Sequence, residues 1–121
     1  MIQKNVNVTE IVNFALEHSG YYNSVEREYL ERYAAIHIQY GTLLYIPGVA
    51  LARWNVLPSG DTLHIIDVII APEYRCRSML RWIGLQIWKM WPAAQYFYYD
   101  KNKTGKSYGY EVKNWFKLKE K

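Results

Sequence analysis

The chain has 121 residues, of which half are hydrophobic and 17% aromatic, and its formal net charge is +4. This composition fits one globular domain with a packed core and excludes an intrinsically disordered chain. The lone cysteine, Cys76, excludes a fold held by internal disulfides, and no apolar run is long enough to span a membrane. Because the first ten residues lack the apolar core of a signal peptide, we expect a cytoplasmic protein.

The positive charge is concentrated near the end of the sequence. Residues 95–121 contain seven lysines and three acidic residues, and this surplus of four equals the net charge of the whole chain. A basic surface attracts acidic partners such as nucleic acid, a phosphate-bearing cofactor or an acidic carrier protein. A solvated lysine-rich tail is the simpler explanation, and charge alone favours it.

The first half of the sequence predicts two helices followed by a β-hairpin. NVTE, residues 7–10, has the pattern of a capping box and opens a helix that ends at Gly20. Ser24 can cap the second helix, and Gly41 ends it. TLLYI and VALARWNV flank a Pro-Gly turn and predict the hairpin. One side of each helix carries apolar and aromatic residues: Ile11, Phe14 and Ala15, with His18 close by, and then Val25, Tyr29, Tyr33 and Ile36.

The second half predicts a central strand, a third helix and two further strands. TLHIIDVIIAP is apolar on both faces, which is typical of a strand covered on both sides. The third helix runs over residues 77–90, and QYFYYD and SYGYEVKNWF are strands joined by a KNKTGK turn. An apolar stripe follows one side of that helix: Leu80, Ile83, Gly84, Ile87 and Trp91. This order indicates an α+β or α/β fold, with a mixed, mostly antiparallel central sheet flanked by helices.

The turn after the central strand, PEYRCRS, is a candidate anion site. A helix begins there, and its N-terminus offers unpaired N–H groups and a partial positive charge. Arg75 and Arg77 add guanidinium groups suited to phosphate. A water-exposed, arginine-rich helix start explains the same residues equally well. The loop also lacks the glycines of a tight phosphate cradle.

The stretch IIDVIIAPEYRCRSMLRWI resembles the signature region of the GNAT superfamily of N-acetyltransferases. In that family a strand leads into an Arg/Gln-x-x-Gly-x-Gly/Ala loop, which holds the pyrophosphate of acetyl-CoA, and then into a helix. The resemblance implies a single GNAT-like domain over residues 1–121. It also implies a donor site formed by five residues: Ile69, Ile70, Arg75, Arg77 and Ser78. Ser78 and Leu80 replace the two small residues of the family's loop.

A closer resemblance is to the RTX-toxin-activating lysine acyltransferases, which have a GNAT-like fold and take a fatty acyl group from acyl carrier protein. SGDTLHIIDVIIAP is similar to their Ser-Gly-Asp … Ile-Asp … Ile-Ala-Pro stretch. VALARWNVLPSGD resembles the strand before it, and WKMWPAAQYFYYDKNKTGKSYGYEV resembles the helix, strand and hairpin after it. The likeness covers residues 49–112. The chain lacks that family's segment between the Trp strand and the Ser-Gly-Asp turn, and it is shorter overall.

In that family an aspartate and an N-terminal histidine form the catalytic pair, and the resemblance maps them onto Asp67 and His18. A carboxylate in an apolar strand costs free energy unless it is paired or hydrogen-bonded, so a catalytic role would explain Asp67. His18 would take the proton of the attacking amine while Asp67 holds the imidazole. The alternatives are a hydrogen bond to Asp67 from backbone or a tyrosine hydroxyl, and a favourable helix-end charge for His18.

The remaining histidines and the cysteine predict no further chemistry. We interpret His37 and His64 as structural and Cys76 as incidental, because no Cys/His/Asp order argues for a thiol nucleophile. Their spacing predicts no metal site.

The sequence therefore predicts an acyltransferase that moves an acyl group from acyl-CoA or acyl carrier protein to an amine, such as a lysine of a protein acceptor. The alternative is a catalytically inactive GNAT-like protein of a phage or mobile element that binds a host or viral protein. Its interface anchors would be among Trp54, Trp82, Trp88 and Trp91, although a core role is the simpler expectation for most of them. Nucleic-acid binding ranks last because no nucleic-acid motif is present. It would use the lysine-rich end of the chain, with Tyr108, Tyr110 and Trp115 as stacking platforms.

Overall fold

The computed structural model describes residues 7–19, 26–100 and 107–113. Within these residues the helices are α1 Val8–His18, α2 Arg27–Tyr40 and α3 Arg77–Met90, and a short 3₁₀ turn covers Pro72–Tyr74. The strands are β1 Leu43–Ile46, β2 Ala50–Val56, β3 Thr62–Ile70, β4 Tyr96–Asp100 and β5 Ser107–Glu111. They form a mixed sheet in the order β1-β2-β3-β4-β5, with helices flanking it. The predicted α+β class is confirmed.

Residue contacts divide the chain into two compact units. Unit 1 consists of residues 1–53 and 67–75, and unit 2 of residues 54–66 and 76–121. The divisions fall inside β2, after Arg53, and inside β3, before Asp67. Each unit has its own strand pairing. In unit 1, β1 pairs antiparallel with β2. In unit 2, β4 pairs parallel with β3 and antiparallel with β5.

The start of α1 in unit 1 agrees with the sequence prediction. Asn7 is the N-cap, and its side-chain oxygen accepts hydrogen bonds from the backbone N–H groups of Thr9 (2.8 Å) and Glu10 (3.4 Å). The helix ends at His18, with Ser19 as its C-cap, and the predicted stop at Gly20 lies outside the described residues. Its buried residues form the core of the unit together with side chains of α2, β1, β2 and β3: Ile11, Val12, Phe14 and Ala15.

The α2 helix shows which side of an amphipathic segment faces the core. Its buried residues are Leu30, Ala34 and His37, whereas Tyr29, Tyr33, Ile36 and Tyr40 are between 48% and 73% exposed. The predicted grouping of Tyr29, Tyr33 and Ile36 on one side is correct, but that side faces away from the core. Small Ala34 lies within the buried side, where α2 packs against α1. Bulkier tyrosines there would hold the two helices further apart.

The two ends of α2 are capped differently. Gly41 ends the helix with a positive φ of 70°, as predicted, and its N–H bonds to the carbonyl of Ile38 at 3.2 Å. At the other end, Glu26 occupies the N-cap position without a side-chain hydrogen bond. The predicted cap, Ser24, and its neighbour Val25 lie outside the described residues.

The central strand is less covered than its sequence predicts. Of the nine residues of β3, only Leu63 and Ile69 are fully buried, and the others are half-buried. The prediction of full cover on both sides is therefore wrong. An aliphatic run shows that a strand tolerates burial, but the packing of the other elements decides how much of it is covered.

Unit 2 contains α3, whose predicted bounds, Arg77–Met90, are confirmed. Ile83, Gly84 and Ile87 are buried, but Leu80 and Trp91, at the two ends of the predicted stripe, are exposed. The indole N–H of Trp91 donates to the carbonyl of Gly60 at 3.0 Å. This bond ties the end of the helix to the turn before β3.

Candidate functional site

The candidate site in unit 1 centres on Asp67, in the second half of β3. The Nε–H group of Arg53, on β2, donates to Asp67 Oδ2 and forms an ion pair with it. Each of the two side chains is only 14% exposed. The guanidinium carbon of Arg53 lies 5.1 Å from the ring centroid of Tyr33, within the range of a cation–π contact. Arg53 thus bridges a carboxylate and an aromatic ring of α2.

This group borders a small depression of about 30 Å³. Arg53 and Asp67 bring charge to it, while the other lining residues are apolar or aromatic: Ile11, Val12, Ala15, Leu30, Tyr33, Ala34, Leu43 and Leu51. The volume is enough for one or two water molecules. An acyl chain would therefore need the α1 and α2 side chains to move apart.

The ion pair explains how an apolar strand carries a carboxylate. Removing a single charge from water costs much free energy. An opposite charge nearby and further hydrogen bonds offset this cost. Sequence reasoning considered a backbone or tyrosine partner for Asp67 and missed Arg53. The signal was present in VALARWNV, where one arginine interrupts the apolar strand next to the one that carries Asp67.

His18 lies at the C-terminal end of α1, and its ring has other partners. Its Nε2 is 2.8 Å from Glu17 Oε2, and its ring centroid is 4.6 Å from that of Phe14. Between the described side chains of His18 and Asp67 there is no hydrogen bond or ion pair. The structure therefore brings Asp67 together with Arg53 and Tyr33, and it brings His18 together with Glu17.

Arg75 connects the end of β3 to the end of α1. Its Nε–H donates to the carbonyl of Ile70 at 2.8 Å, and its Nη2 donates to the carbonyl of His18 at 3.4 Å. Carbonyls in the last turn of a helix lack partners within the helix, so a cation there is favourable. Of the two predicted backbone positions, Ile69 is buried, and Ile70 is half-buried with its carbonyl engaged by Arg75.

Arg77 and Ser78 belong to unit 2, where they are the first two residues of α3. Both are exposed, as is Cys76 before them. Cys76 is the N-cap, and its sulfur accepts a long hydrogen bond (3.4 Å) from the N–H of Met79. The predicted donor loop therefore divides between Arg75, which closes unit 1, and Arg77 and Ser78, which open the helix of unit 2.

The Ser-Gly-Asp turn has a structural role within unit 2. Asp61 accepts hydrogen bonds from the hydroxyl groups of Ser59 (2.6 Å) and Thr62 (3.0 Å), and these bonds lower the pKa of its carboxyl group. Its backbone carbonyl accepts from the N–H groups of Gln95 (2.7 Å) and Tyr96 (3.1 Å). The turn thereby anchors the start of β4 beside β3.

The other histidines have local partners. His37 is buried, with its Nδ1 2.7 Å from Thr42 Oγ1, and the half-buried His64 ring lies 5.0 Å from the ring of Tyr98. Within the described part of the chain, no group of three or more His, Cys, Asp or Glu residues is placed to hold a metal ion. None of its helices has the length and hydropathy needed to cross a bilayer.

No protein family, curated protein or solved structure matches this chain. The resemblance to acyltransferases consequently remains a hypothesis that depends on the motifs of residues 49–112. The predicted stacking platforms for nucleic acid are Tyr108, Tyr110 and Trp115. Their side chains lie outside what the structure describes.

Proposed function

We propose that the chain is a GNAT-like acyltransferase that moves an acyl group from a thioester, acyl-CoA or acyl-acyl carrier protein, to an amine such as a protein lysine. The observation that carries this proposal is the environment of Asp67. It is a mostly buried carboxylate on a central strand, held by Arg53 beside a depression. Its position in IIDVIIAP is also that of the catalytic aspartate in the family that the sequence resembles.

In the proposed reaction the amine nitrogen attacks the thioester carbonyl carbon and loses a proton, and the thiolate then leaves. Asp67 orients the incoming amine, and Arg53 keeps the carboxylate in place through its Nε–H bond. His18 is the proposed proton acceptor, and the carboxylate beside its ring is Glu17. In this proposal both side chains contact the amine directly, and Asp67 does not have to hold the imidazole of His18.

For the donor, the contacts favour different roles for the two arginines. Arg77 and Ser78 are exposed at the N-terminus of α3, where backbone N–H groups and a guanidinium suit a phosphate. Arg75 already donates to two backbone carbonyls. We therefore assign phosphate binding to Arg77 and Ser78. Arg75 instead holds the end of β3 in place through its hydrogen bond to the carbonyl of Ile70.

A binding and transfer experiment tests this function. Thermal shift would compare acetyl-CoA, a long-chain acyl-CoA and acyl-acyl carrier protein, and mass spectrometry would follow acylation of an added lysine peptide. Arg77→Gln should abolish donor stabilisation, whereas the control Arg81→Gln, on the same helix, should retain it. Asp67→Asn should retain donor stabilisation and lose transfer. Failure of every donor to stabilise the wild-type chain would reject the acyltransferase.

A second candidate function is protein binding without catalysis, and the exposed side of α2 favours it. Tyr29, Tyr33, Ile36 and Tyr40 form a continuous stripe, and tyrosine is enriched at protein interfaces. Of the tryptophans that sequence reasoning considered as anchors, Trp82 and Trp91 are exposed and Trp54 is buried. If this function is correct, Tyr40→Ser will weaken binding to a physiological partner, while Asp67→Asn and Arg77→Gln will leave that binding unchanged.

A further inference from the structure

The exposed side of α2 carries a stripe of aromatic and aliphatic side chains. Tyr29, Tyr33, Ile36 and Tyr40 are each about half exposed or more. They follow one another at intervals of four, three and four residues, which places all four along one line of the helix. We call these four residues the α2 stripe. A continuous apolar surface of this kind is typical of an interaction site.

The spacing of the α2 stripe is the same when it is read from either end. If a second copy of the helix runs antiparallel to the first, with a two-fold axis between residues 34 and 35, Tyr33 lies opposite Ile36 of the second copy. Tyr29 then lies opposite Tyr40. A two-fold interface requires a surface that complements itself in this way. Intervals of four and three are also those of the a and d positions along which two helices of a coiled coil pack.

The charges of α2 favour an antiparallel pair over a parallel one. Arg27 pairs with Glu31 and Arg32 pairs with Glu28, all within the first six residues of the helix. The other eight residues contain no Lys, Arg, Asp or Glu. A parallel pair would bring each of these charges close to its own equivalent in the second copy. An antiparallel pair instead places the charged half of one helix beside the uncharged half of the other, and it aligns the helix dipoles favourably.

The exposed area of the α2 stripe determines how tightly two copies can bind. A fully buried aromatic side chain covers about 150–250 Å², so the exposed parts of the stripe offer roughly 400 Å² per copy and roughly 800 Å² per pair. The neighbouring side chains of Arg32, Ala35 and Gln39 are also exposed and enlarge this area. The total lies near the lower limit of about 1,000 Å² for a specific interface, so we expect a weak dimer.

We propose that the chain forms a two-fold symmetric dimer in which two copies of the α2 stripe pack antiparallel. The partner of this surface is therefore a second copy of the chain. The inference rests on the same surface as the second candidate function, but it requires neither a thioester nor Asp67. The interface would lie next to the candidate site of unit 1, because the ring of Tyr33 is 5.1 Å from the guanidinium carbon of Arg53.

The first test is analytical ultracentrifugation of the full chain at concentrations on either side of about 100 μM, where we expect a weak dimer to dissociate. Ile36→Asp places two carboxylates near the two-fold axis and removes apolar area, so it should weaken the dimer at least about tenfold. The matched control is Leu80→Asp, which changes a 40% exposed aliphatic residue of α3 and should leave the dimer unchanged. Circular dichroism checks that both variants are folded.

The second test is disulfide cross-linking, which reports the direction of the two helices. Cys76→Ser removes the native thiol, and Tyr29→Cys and Tyr40→Cys are then made as two separate proteins. In the antiparallel pair position 29 meets position 40, whereas equal positions lie about 16 Å apart along the axis, beyond the reach of a disulfide. Mild oxidation should therefore cross-link a mixture of the two proteins but neither protein alone. Tyr74→Cys, at a 43% exposed tyrosine outside α2, measures random collisions.

A wild-type chain that stays monomeric at every concentration would overturn the proposal, and so would equal weakening by Ile36→Asp and Leu80→Asp. The stripe would then belong to a different protein, for which Tyr40→Ser is the test. Cross-linking of either cysteine variant with itself, or a mixture that gives no more than the Tyr74→Cys background, would overturn the antiparallel arrangement. Neither experiment measures donor binding or transfer, so the acyltransferase is decided separately.

Discussion

Arg53 and Asp67 form an ion pair between adjacent strands β2 and β3, and each side chain is only 14% exposed. Arg53 also lies against the ring of Tyr33, so one guanidinium joins the sheet to α2. This relationship accounts for a carboxylate within an apolar strand, and it holds whether or not the chain is an enzyme. It also means that a variant at Asp67 affects stability as well as any activity.

Removal of one partner of this pair should be strongly destabilising. Arg53→Met leaves Asp67 largely buried without its cation, and we expect a loss of about 3 kcal/mol in the free energy of unfolding. In the double variant Arg53→Met/Asp67→Leu, apolar packing replaces both charges, and most of the loss should be recovered. Urea unfolding of the wild type, Arg53→Met, Asp67→Leu and the double variant measures the coupling. Additive losses in the double variant would show that the two side chains do not interact.

Arg75→Ala should lower stability rather than donor affinity. The substitution removes two hydrogen bonds to carbonyls, one at the end of β3 and one at the end of α1. Because the side chain is exposed, we expect a modest loss of about 1 kcal/mol. Thermal unfolding measures it, and Arg32→Ala, which removes an exposed arginine of α2, serves as the control. An unchanged melting temperature together with loss of donor binding would instead return Arg75 to the phosphate site.

The two sides of α2 should respond differently to truncation. Leu30 is buried, so Leu30→Ala should cost about 2–5 kcal/mol. Ile36 is half-exposed, so Ile36→Ala should change stability by less than about 0.5 kcal/mol. Chemical denaturation of both variants provides the comparison. Equal losses would place the Tyr29, Tyr33 and Ile36 side against the core instead.

The environment of Tyr45 should make the protein less stable at alkaline pH. Burial, and then the hydrogen bond from its hydroxyl to Glu10 (2.8 Å), raise its pKa from 10.0 to about 12. Since the raised pKa favours the neutral phenol in the folded state, its contribution is complete below pH 10 and is lost as the pH rises from 10 to 12. Unfolding midpoints of wild type and Tyr45→Phe should therefore converge over this range. Curves that stay parallel would contradict this assignment.

Local signals in the sequence predicted the secondary structure well. Short-range chemistry accounts for four predicted features: the Asn7 cap, the left-handed Gly41, the Pro-Gly hairpin and the bounds of α3. Each depends on residues a few positions apart, whose backbone preferences do not require the rest of the fold. The mixed α+β class follows from the order of these elements.

The candidate sites depended on contacts that a linear pattern does not contain. Asp67 could be recognised as unusual from its apolar neighbours, but its partner Arg53 lies 14 residues earlier and meets it only through strand pairing. A cavity of unit 2 likewise joins residues 88–96 to residues 111–113.

The sequence by itself determined where the helices and strands lie, that the chain forms a packed α+β fold, and that its positive charge collects near the end. Only the tertiary structure decided that Leu30 rather than Tyr29 faces the core, that Arg53 neutralises Asp67, and that Arg75 holds two carbonyls. The reason is physical. Backbone preferences act over a few residues, whereas burial and ion pairing depend on which distant surfaces meet when the chain packs.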